Sequence, residues 1–230
     1  MRVAIHQPVF FPWLGWVDKA ARVDLLVIAD HVRPDLASPH TRAAYPLCGE
    51  KKLMVLSLQK AQDRSATFRT IQLAGGRPPA NAFAKMYAAY RKAPYWPSLA
   101  DRLKTVLEAE YSSLFEANLA SMRMTLEIFR VDTKIVLGSS LTTPFVEDSK
   151  AGRTVSICKA VGATSYLSGN GAKVYMRDEL FASHGIDVQY QNFHHPQYAQ
   201  GEQAFVDAAM ALDWYMWSGS IAVEKFHAGI

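Results

Sequence analysis

Four of the seven histidines in this 230-residue chain, His6, His31, His194 and His195, stand where short apolar runs end. Residues 2–7 (RVAIHQ) run into His6-Gln7 before Pro8, and residues 24–30 (DLLVIAD) run into Asp30 and His31. Residues 186–193 (IDVQYQNF) lead to His194-His195, and 165–168 (SYLS) lead to Ser168-Gly169-Asn170-Gly171. A neutral imidazole oriented by a carboxylate can exchange protons near neutral pH, so His6 with Asp30 is a candidate general base with its orienting acid. A lone histidine at such a place could equally be a core ring bonded to a nearby carbonyl. It is the gathering of several polar residues at run ends that points to a site. In extended backbone the adjacent His194 and His195 point to opposite faces, so at most one of them serves it.

Other residues extend or limit that chemistry. Backbone amides at 168–171 could cradle a phosphate or carboxylate where a strand turns into a helix, and a plain capped turn is the alternative. A dinucleotide fingerprint would need glycine at Val174, and a Walker loop would need Ser or Thr after a Gly-Lys pair; neither is present. His6, Asp30 and His195 could together face a metal, but no HxH, HxxxH or HExxH spacing accompanies them, and no metal is expected. Cys158, between Val155 and Val161, reads as a small core residue, with a Cys158–His195 acyl-transfer or hydrolytic pair as the other possibility. Phe10, Phe11, Trp13 and Trp16 crowd after Pro8; most of these rings read as core, with Phe10 or Phe11 a candidate pocket wall.

Strand ends can hold a site only if the strands run parallel in one sheet. Between the first two apolar runs, residues 13–23 place Trp13, Trp16, Val17 and Ala20 at helical spacing, with Asp18, Lys19 and Arg22 on the other side. A strand, helix, strand unit with the usual right-handed crossover brings His6-Gln7 and Asp30-His31 to the same sheet edge. The polar stretch 33–46 reads as a long irregular loop. Strands are expected at 53–58 and 68–73, then helices at 81–92, 98–111 and 114–129. A strand at 134–138, a helix at 153–161, the strand at 165–168, a helix at 173–184 and the strand at 186–193 resume the alternation. The expected fold is a three-layer α/β domain spanning 1–230, with a mainly parallel sheet and a helical insert near 77–130.

Composition agrees and removes whole classes of function. Half of the residues are hydrophobic and 20% are charged, which excludes disordered and disulfide-scaffold readings. There are two cysteines, Cys48 and Cys158, too far apart for a CxxC pair, and a reducing compartment suits them. No long uncharged apolar run and no signal-peptide pattern is seen, so a soluble, cytoplasmic protein without a membrane span is expected. The net charge of +4 comes from 25 Lys and Arg against 21 acids. The bases are scattered, and the densest groups, Lys51-Lys52 and Arg64 with Arg69, lack the interleaved aromatics of a nucleic-acid surface. The expected partner is a small molecule, with no nucleic acid.

Several motifs, in order, carry a resemblance. They are Ile5-His6-Gln7-Pro8, Phe11-Pro12-Trp13-Leu14-Gly15, Asp18-Lys19, Asp30, Lys92-Ala93-Pro94-Tyr95, Ser139-Ser140, Ile157-Cys158, Gly162-Ala163-Thr164, Tyr166-Leu167-Ser168-Gly169, and His195-Pro196 with Tyr198 and Gln200. Nearly end to end, the chain resembles the WbqC-like family of bacterial proteins, encoded in surface-polysaccharide (O-antigen) and related clusters. The resemblance implies a transferase that moves a glycyl or other acyl group, from a donor that could be sugar- or carrier-linked, to a sugar or small-molecule amine or hydroxyl. It favours His195 of the histidine pair, and it adds Gln7, Arg42, Tyr198 and Gln200 to Phe11, Ser168, Gly169 and Asn170 as substrate-binding candidates. The chain departs from the family at His31, where a second acid is usual, and at Ala43, Met86 and Met210, where Asn, His and Ser are usual. Those departures imply a changed substrate, a binding-only role or lost chemistry. A fainter architectural likeness to nucleotidylyltransferases lacks their HxGH, since the matching stretch Phe11-Pro12-Trp13-Leu14-Gly15-Trp16 has no histidine.

Overall fold

A computed structural model describes residues 1–35, 39–59 and 65–221. Residues 36–38, inside the stretch expected to be a loop, and Arg64 of the basic group lie outside the described residues. The chain forms an α/β fold around a five-stranded, all-parallel sheet. Its strands are β1 (Arg2–His6), β2 (Leu25–Ile28), β5 (Lys134–Leu137), β6 (Ser165–Ser168) and β7 (Asp187–Tyr190), in the spatial order β5-β2-β1-β6-β7. A separate two-stranded antiparallel hairpin pairs β3 (Arg42–Leu47) with β4 (Glu50–Val55).

The strand order carries the functional consequence. From β1 the chain passes through helix α1 (Leu14–Ala21) to β2 on one side, and later through α5 (Lys150–Ala160) to β6 on the other. The direction of winding therefore reverses between β1 and β6, where parallel α/β sheets open a crevice at their carboxyl ends. The register shows the opening. β1 pairs with β2 along its length, from Val3↔Leu25 to His6↔Ile28, but with β6 only at Arg2↔Ser165 and Val3↔Tyr166. Beyond Val3 the β1/β6 ladder stops, so His6 and Ser168 end neighbouring strands that no longer bond to each other.

Alternation along β1 and β2 feeds a core on each face of the sheet. Ala4, Leu26 and Ile28 pack with Trp16, Val17 and Ala20 of α1 and with α4 (Leu114–Ile128). Val3, Leu25 and Val27 pack on the other face with Val155 and Cys158 of α5 and with Phe181 of α6 (Asp178–Ala182). Helices α2 (Ala82–Tyr90), α3 (Trp96–Glu108) and α4 lie between β4 and β5 in sequence, and α7 (Ala211–Ser218) closes the described chain. α4 starts at a true cap, with Ser113 Oγ accepting from the Glu116 amide.

Four expectations change. The stretch 33–46 is not all loop: its end forms β3, whose partner β4 begins earlier than the expected strand at 53–58. No strand forms at 68–73; only the single bridge Leu58↔Leu73 remains, and backbone groups of Phe68 and Ile71 bond instead to the start of α4. The helix expected at 173–184 divides into a five-residue 3-10 turn, Asn170–Val174, and the short α6. Finally, α1 does not present a wet polar face: Asp18 and Lys19 are buried with Leu14, Trp16 and Val17. The segment after β7 covers that side, with the Gln191 side-chain amide donating to Gly15 O (2.7 Å) and Asp18 Oδ2 (2.6 Å). Gly15 permits this approach, since a Cβ there would meet Phe193 Cδ1 at 2.8 Å.

Candidate functional site

The carboxyl ends of β1 and β6 open into a cavity of about 660 Å³, of the size that holds small-molecule ligands. Its floor is Ile5, His6 and Gln7 from β1 with Ser168 and Gly169 from β6; Lys19 enters from α1, and His40 from the chain passing above. Trp13, Tyr166 and Tyr175 supply aromatic wall, and Arg33, Lys150 and Arg153 bring positive charge to the rim. No Asp or Glu lines the cavity among the described residues.

His6 is the last residue of β1, and the pleat turns it to the α1 face, edge-on to Trp13 and Trp16 with ring centroids 5.7 and 6.3 Å away. Its Nδ1 lies 2.7 Å from Gln7 O. A carbonyl can only accept, so Nδ1 carries the proton and Nε2 is left as a lone pair with no partner among the described residues. Burial, then the nearby Lys19 charge, push the His6 pKa down to about 3, despite its bond to Gln7. His40 repeats the arrangement: it is buried, its Nδ1 donates to Pro8 O at 2.6 Å, and burial lowers its pKa. Two neutral imidazoles thus reach the cavity with fixed tautomers.

Lys19 is 9% exposed, and among the described residues its ammonium has no hydrogen-bond acceptor or ion-pair partner. The adjacent Asp18 carboxylate is occupied by Arg22 (3.0 Å) and Gln191. Burial lowers the Lys19 pKa to about 8, with Asp18 acting against the shift. In the sequence Lys19 stands out only within the Asp18-Lys19 motif of the resemblance, with no role attached, and His40 does not stand out. His40 lies in a stretch read as loop, and Lys19 takes a helical position opposite the apolar stripe. The density of apolar residues around Lys19 (Trp13, Leu14, Trp16, Val17, Ala20) is a further sequence signal that fits a helix covered on all sides.

The sequence-derived candidates separate into four places. His6, Gln7, Ser168 and Gly169 line the cavity, whereas Asn170 is exposed at the start of the 3-10 turn. After Gly169 the chain enters a five-residue 3-10 turn rather than an α-helix, so an anion at residues 168–171 would meet backbone groups without the aligned dipole of a full helix. Phe11 and Arg42 line a smaller cavity of about 260 Å³ that shares Trp13 with the main one; Phe11 sits there at φ 44°, its amide bonded to Ser121 Oγ.

Asp30 does not orient His6. Its buried carboxylate accepts from the Ser139 amide (2.8 Å) and hydroxyl (2.6 Å) and from Arg69 Nη1 (3.0 Å). Burial works against its charge, but these bonds outweigh it and hold the carboxyl below its usual range. Asp30 thus ties the end of β2 to the turn after β5 and to Arg69, whose guanidinium lies 5.5 Å over the Phe115 ring.

His195, Tyr198 and Gln200 form the fourth place. The His195 ring packs among Phe193, Tyr198 and Phe205, its Nδ1 meets Pro196 O at 3.0 Å, and burial lowers its pKa. Tyr198 donates a short hydrogen bond to Asp213 Oδ2, and Gln200 Nε2 donates to the same oxygen at 2.8 Å. Gln200 also clamps Val206, accepting from its amide at 2.7 Å and donating to its carbonyl at 3.0 Å. None of the three lines the main cavity. His6, Asp30 and His195 are therefore not brought together, and among the described residues no three His, Cys, Asp or Glu side chains group so as to hold a metal ion. Cys158 lies fully buried in the core on the other face of the sheet from Tyr198 and Phe193, and burial pushes its thiol up to about 12. That removes the Cys158–His195 pair: the thiol stays protonated and out of reach.

Fold and cavity together define a parallel α/β protein with a cation-lined crevice at its switch point. Residues 7–225 match the model of the WbqC-like protein family, and the chain belongs to that family. It is also 22% identical over 214 residues to the uncharacterized protein Rv1507c of Mycobacterium tuberculosis, an alignment covering 92% of this chain and 91% of that one. No solved structure matches significantly. No helix among the described residues is long and apolar enough to cross a membrane.

Proposed function

We propose that the protein is a transferase, moving an acyl or aminoacyl group of the glycyl type to an amine or hydroxyl of a sugar or other small molecule. The setting is surface-polysaccharide (O-antigen) or specialised metabolite biosynthesis. The observation that carries this reading is the unpaired Nε2 of His6, held by the Gln7 carbonyl as an acceptor facing a ligand-sized cavity. In the proposed step Nε2 takes the proton of the acceptor as its nitrogen or oxygen attacks the acyl carbon. The carbonyl then re-forms, the donor's leaving group departs with the bonding pair, and the imidazolium returns its proton to that group. In the proposed step the Ser168 hydroxyl, which lines the cavity at the end of β6 and donates at rest to Gly169 O (3.4 Å), turns to the carbonyl oxygen as it gains charge. A base whose pKa is near 3 is weak, but the Lys19 charge contributes to that value, and an anionic substrate beside Lys19 would raise it.

The test is turnover with a panel of acyl and aminoacyl donors and amino- or hydroxyl-bearing sugars, followed by the mass gain of the acceptor. Loss of transfer in a folded His6→Ala protein supports the reading, and wild-type turnover in that variant removes it. A second reading, binding of an anionic metabolite without catalysis, is favoured by the absence of any carboxylate hydrogen-bonded to His6 among the described residues. Under that reading the wild-type protein turns over no donor, while cavity substitutions still change affinity.

A further inference from the structure

We infer that Lys19 and the bare backbone at Gly169 form an oxyanion-binding subsite, which takes the carboxylate or phosphate group of a ligand lying in the β1/β6 crevice. Three observations carry it. The Lys19 side chain is nine-tenths buried, lines the cavity and makes no ion pair or hydrogen bond among the described residues, the Asp18 charge near it being shared with Arg22 and Gln191, so the folded protein holds a cation with room for a direct partner from outside. The position facing it across the crevice is glycine: a Cβ on Gly169 would lie 3.1 Å from Lys19 Nζ, filling the place an incoming oxygen needs. Finally, among the described residues no carboxylate lines the cavity, and Lys150 and Arg153 at its mouth add to the positive field that draws an anion in.

The surrounding charges are consistent with a cation kept for a ligand. Asp18, beside Lys19 on the same helix, has its oxygens engaged by Arg22 and Gln191. From the facing strand His6 offers only a neutral ring, and above it His40 does the same. Arg153 pairs with Asp148 (2.5 Å), outside the cavity, and Lys150 lies 5.0 Å over the Tyr175 ring of the cavity wall, so both stay at the mouth and Lys19 is the deeper cation.

The inference deepens the transferase reading by naming the charge class of its substrate, yet its test needs no turnover. Binding of inorganic phosphate, pyrophosphate and acetate to the full chain is measured by titration calorimetry at fixed ionic strength. Wild type is expected to bind phosphate-class probes, acetate or both, and the tighter of the two classes identifies the group. Lys19→Met, which keeps the stem and removes the charge, should weaken that binding by tenfold or more. Gly169→Ala should weaken it several-fold, and Lys150→Ala no more than about threefold. Because Lys19→Met removes a buried cation that has no ion pair or hydrogen bond, its melting temperature without ligand should equal or exceed that of wild type.

Independently of any variant, acetic anhydride footprinting of wild type near pH 8 should acylate Lys19 early, and the bound probe should protect it. The inference is overturned if wild type binds none of the probes, if Lys19→Met binds as wild type does, or if a saturating probe leaves Lys19 acylation unchanged. A protein that binds these anions through Lys19 but transfers no acyl group keeps this subsite and loses only the transferase reading.

Discussion

At the β1/β6 crevice, His6 and Lys19 lose water while the atom that faces the cavity gains no partner; around Asp213, on the other side of α1, burial is answered almost group for group. Asp213 Oδ2 receives both Tyr198 and Gln200, and the remaining Gln200 groups hold Val206. The buried Tyr90 hydroxyl also turns to Asp213, and among the described residues of the cluster His195 Nε2 is left over, sealed from solvent. In the crevice the unpartnered groups open onto space the size of a ligand. Both regions shift pKa values through burial, so a shift by itself does not mark a site. What separates them is whether the donors and acceptors left over can be reached by a molecule from outside. By that measure the Asp213 cluster fastens the segment after β7 to α7, and the crevice is where chemistry can occur.

The largest expected effect breaks or keeps this division directly. His6→Ala should lower any acyl-transfer turnover by about 100-fold or more, the usual contribution of a positioned base, with an unchanged circular dichroism spectrum. If instead Tyr198→Phe abolished turnover in fully folded protein while His6→Ala did not, the two regions would exchange roles.

Acid titration sharpens the contrast because the two regions should respond with opposite sign. Asp213 has a folded pKa of about 6, raised from 3.8 mainly by burial. The folded state therefore keeps a proton that the unfolded chain has released. Its contribution is fully present below about pH 4, is lost as pH rises to about 6, and is constant above. At about 1.4 kcal/mol per unit, the stability gap between wild type and Asp213→Asn should move by on the order of 3 kcal/mol across that window. His6 runs the other way: its folded value, about 3, lies below the ordinary 6.5. Its contribution is complete above pH 6.5 and is lost as pH falls toward 3, so His6→Asn should flatten the acid limb that Asp213→Asn steepens. Denaturant melts of both variants from pH 4 to 7 check the signs, and equal slopes would remove the electrostatic part of the comparison. Smaller again, Tyr198→Phe should cost about 2 kcal/mol at pH 7, by taking a donor from a buried carboxylate, with turnover per folded molecule unchanged.

Much of the crevice's framework was legible in the sequence. Strand ends at His6, Asp30 and Ser168 followed from apolar runs punctuated by Pro8 and Gly169, and the parallel sheet followed from the spacing between them. The side-chain pairings were not legible, because they depend on which element covers which. Asp30 was assigned to His6 by proximity at the sheet edge, but Ser139 and Arg69, 109 and 39 residues away, reach it instead. Lys19 falls on the polar side of the α1 pattern because a single helix shows only its own two faces; the Gln191 segment that covers this side of α1, at Gly15 and Asp18, comes from the far end of the chain. β3 escaped notice because Pro46 and the run of small residues before it do not read as a strand, and α7, rich in apolar residues all round, shows little periodicity. Local pattern is thus readable where one element suffices and fails where a contact spans a hundred residues.

The smallest expected effect takes the same rule to a residue in neither region. Cys158 sits in an apolar cluster, and burial pushes its pKa from 9.0 to about 12, a shift comparable to that of His6, yet it does not line the crevice. If accessibility of the leftover group is what distinguishes a site from a core, native protein treated with iodoacetamide at pH 8 should be alkylated at the exposed Cys48 and not at Cys158. Anion binding in the crevice and any turnover should be unchanged. Peptide mapping reads the label, and Cys158 should become reactive only in denaturant, when the sheet face above α5 separates. Rapid native labelling of Cys158 with loss of binding would mean that α5 lifts from the sheet far more readily than its packing allows. The boundary between the two kinds of burial would then be set by motion of α5 rather than by partners.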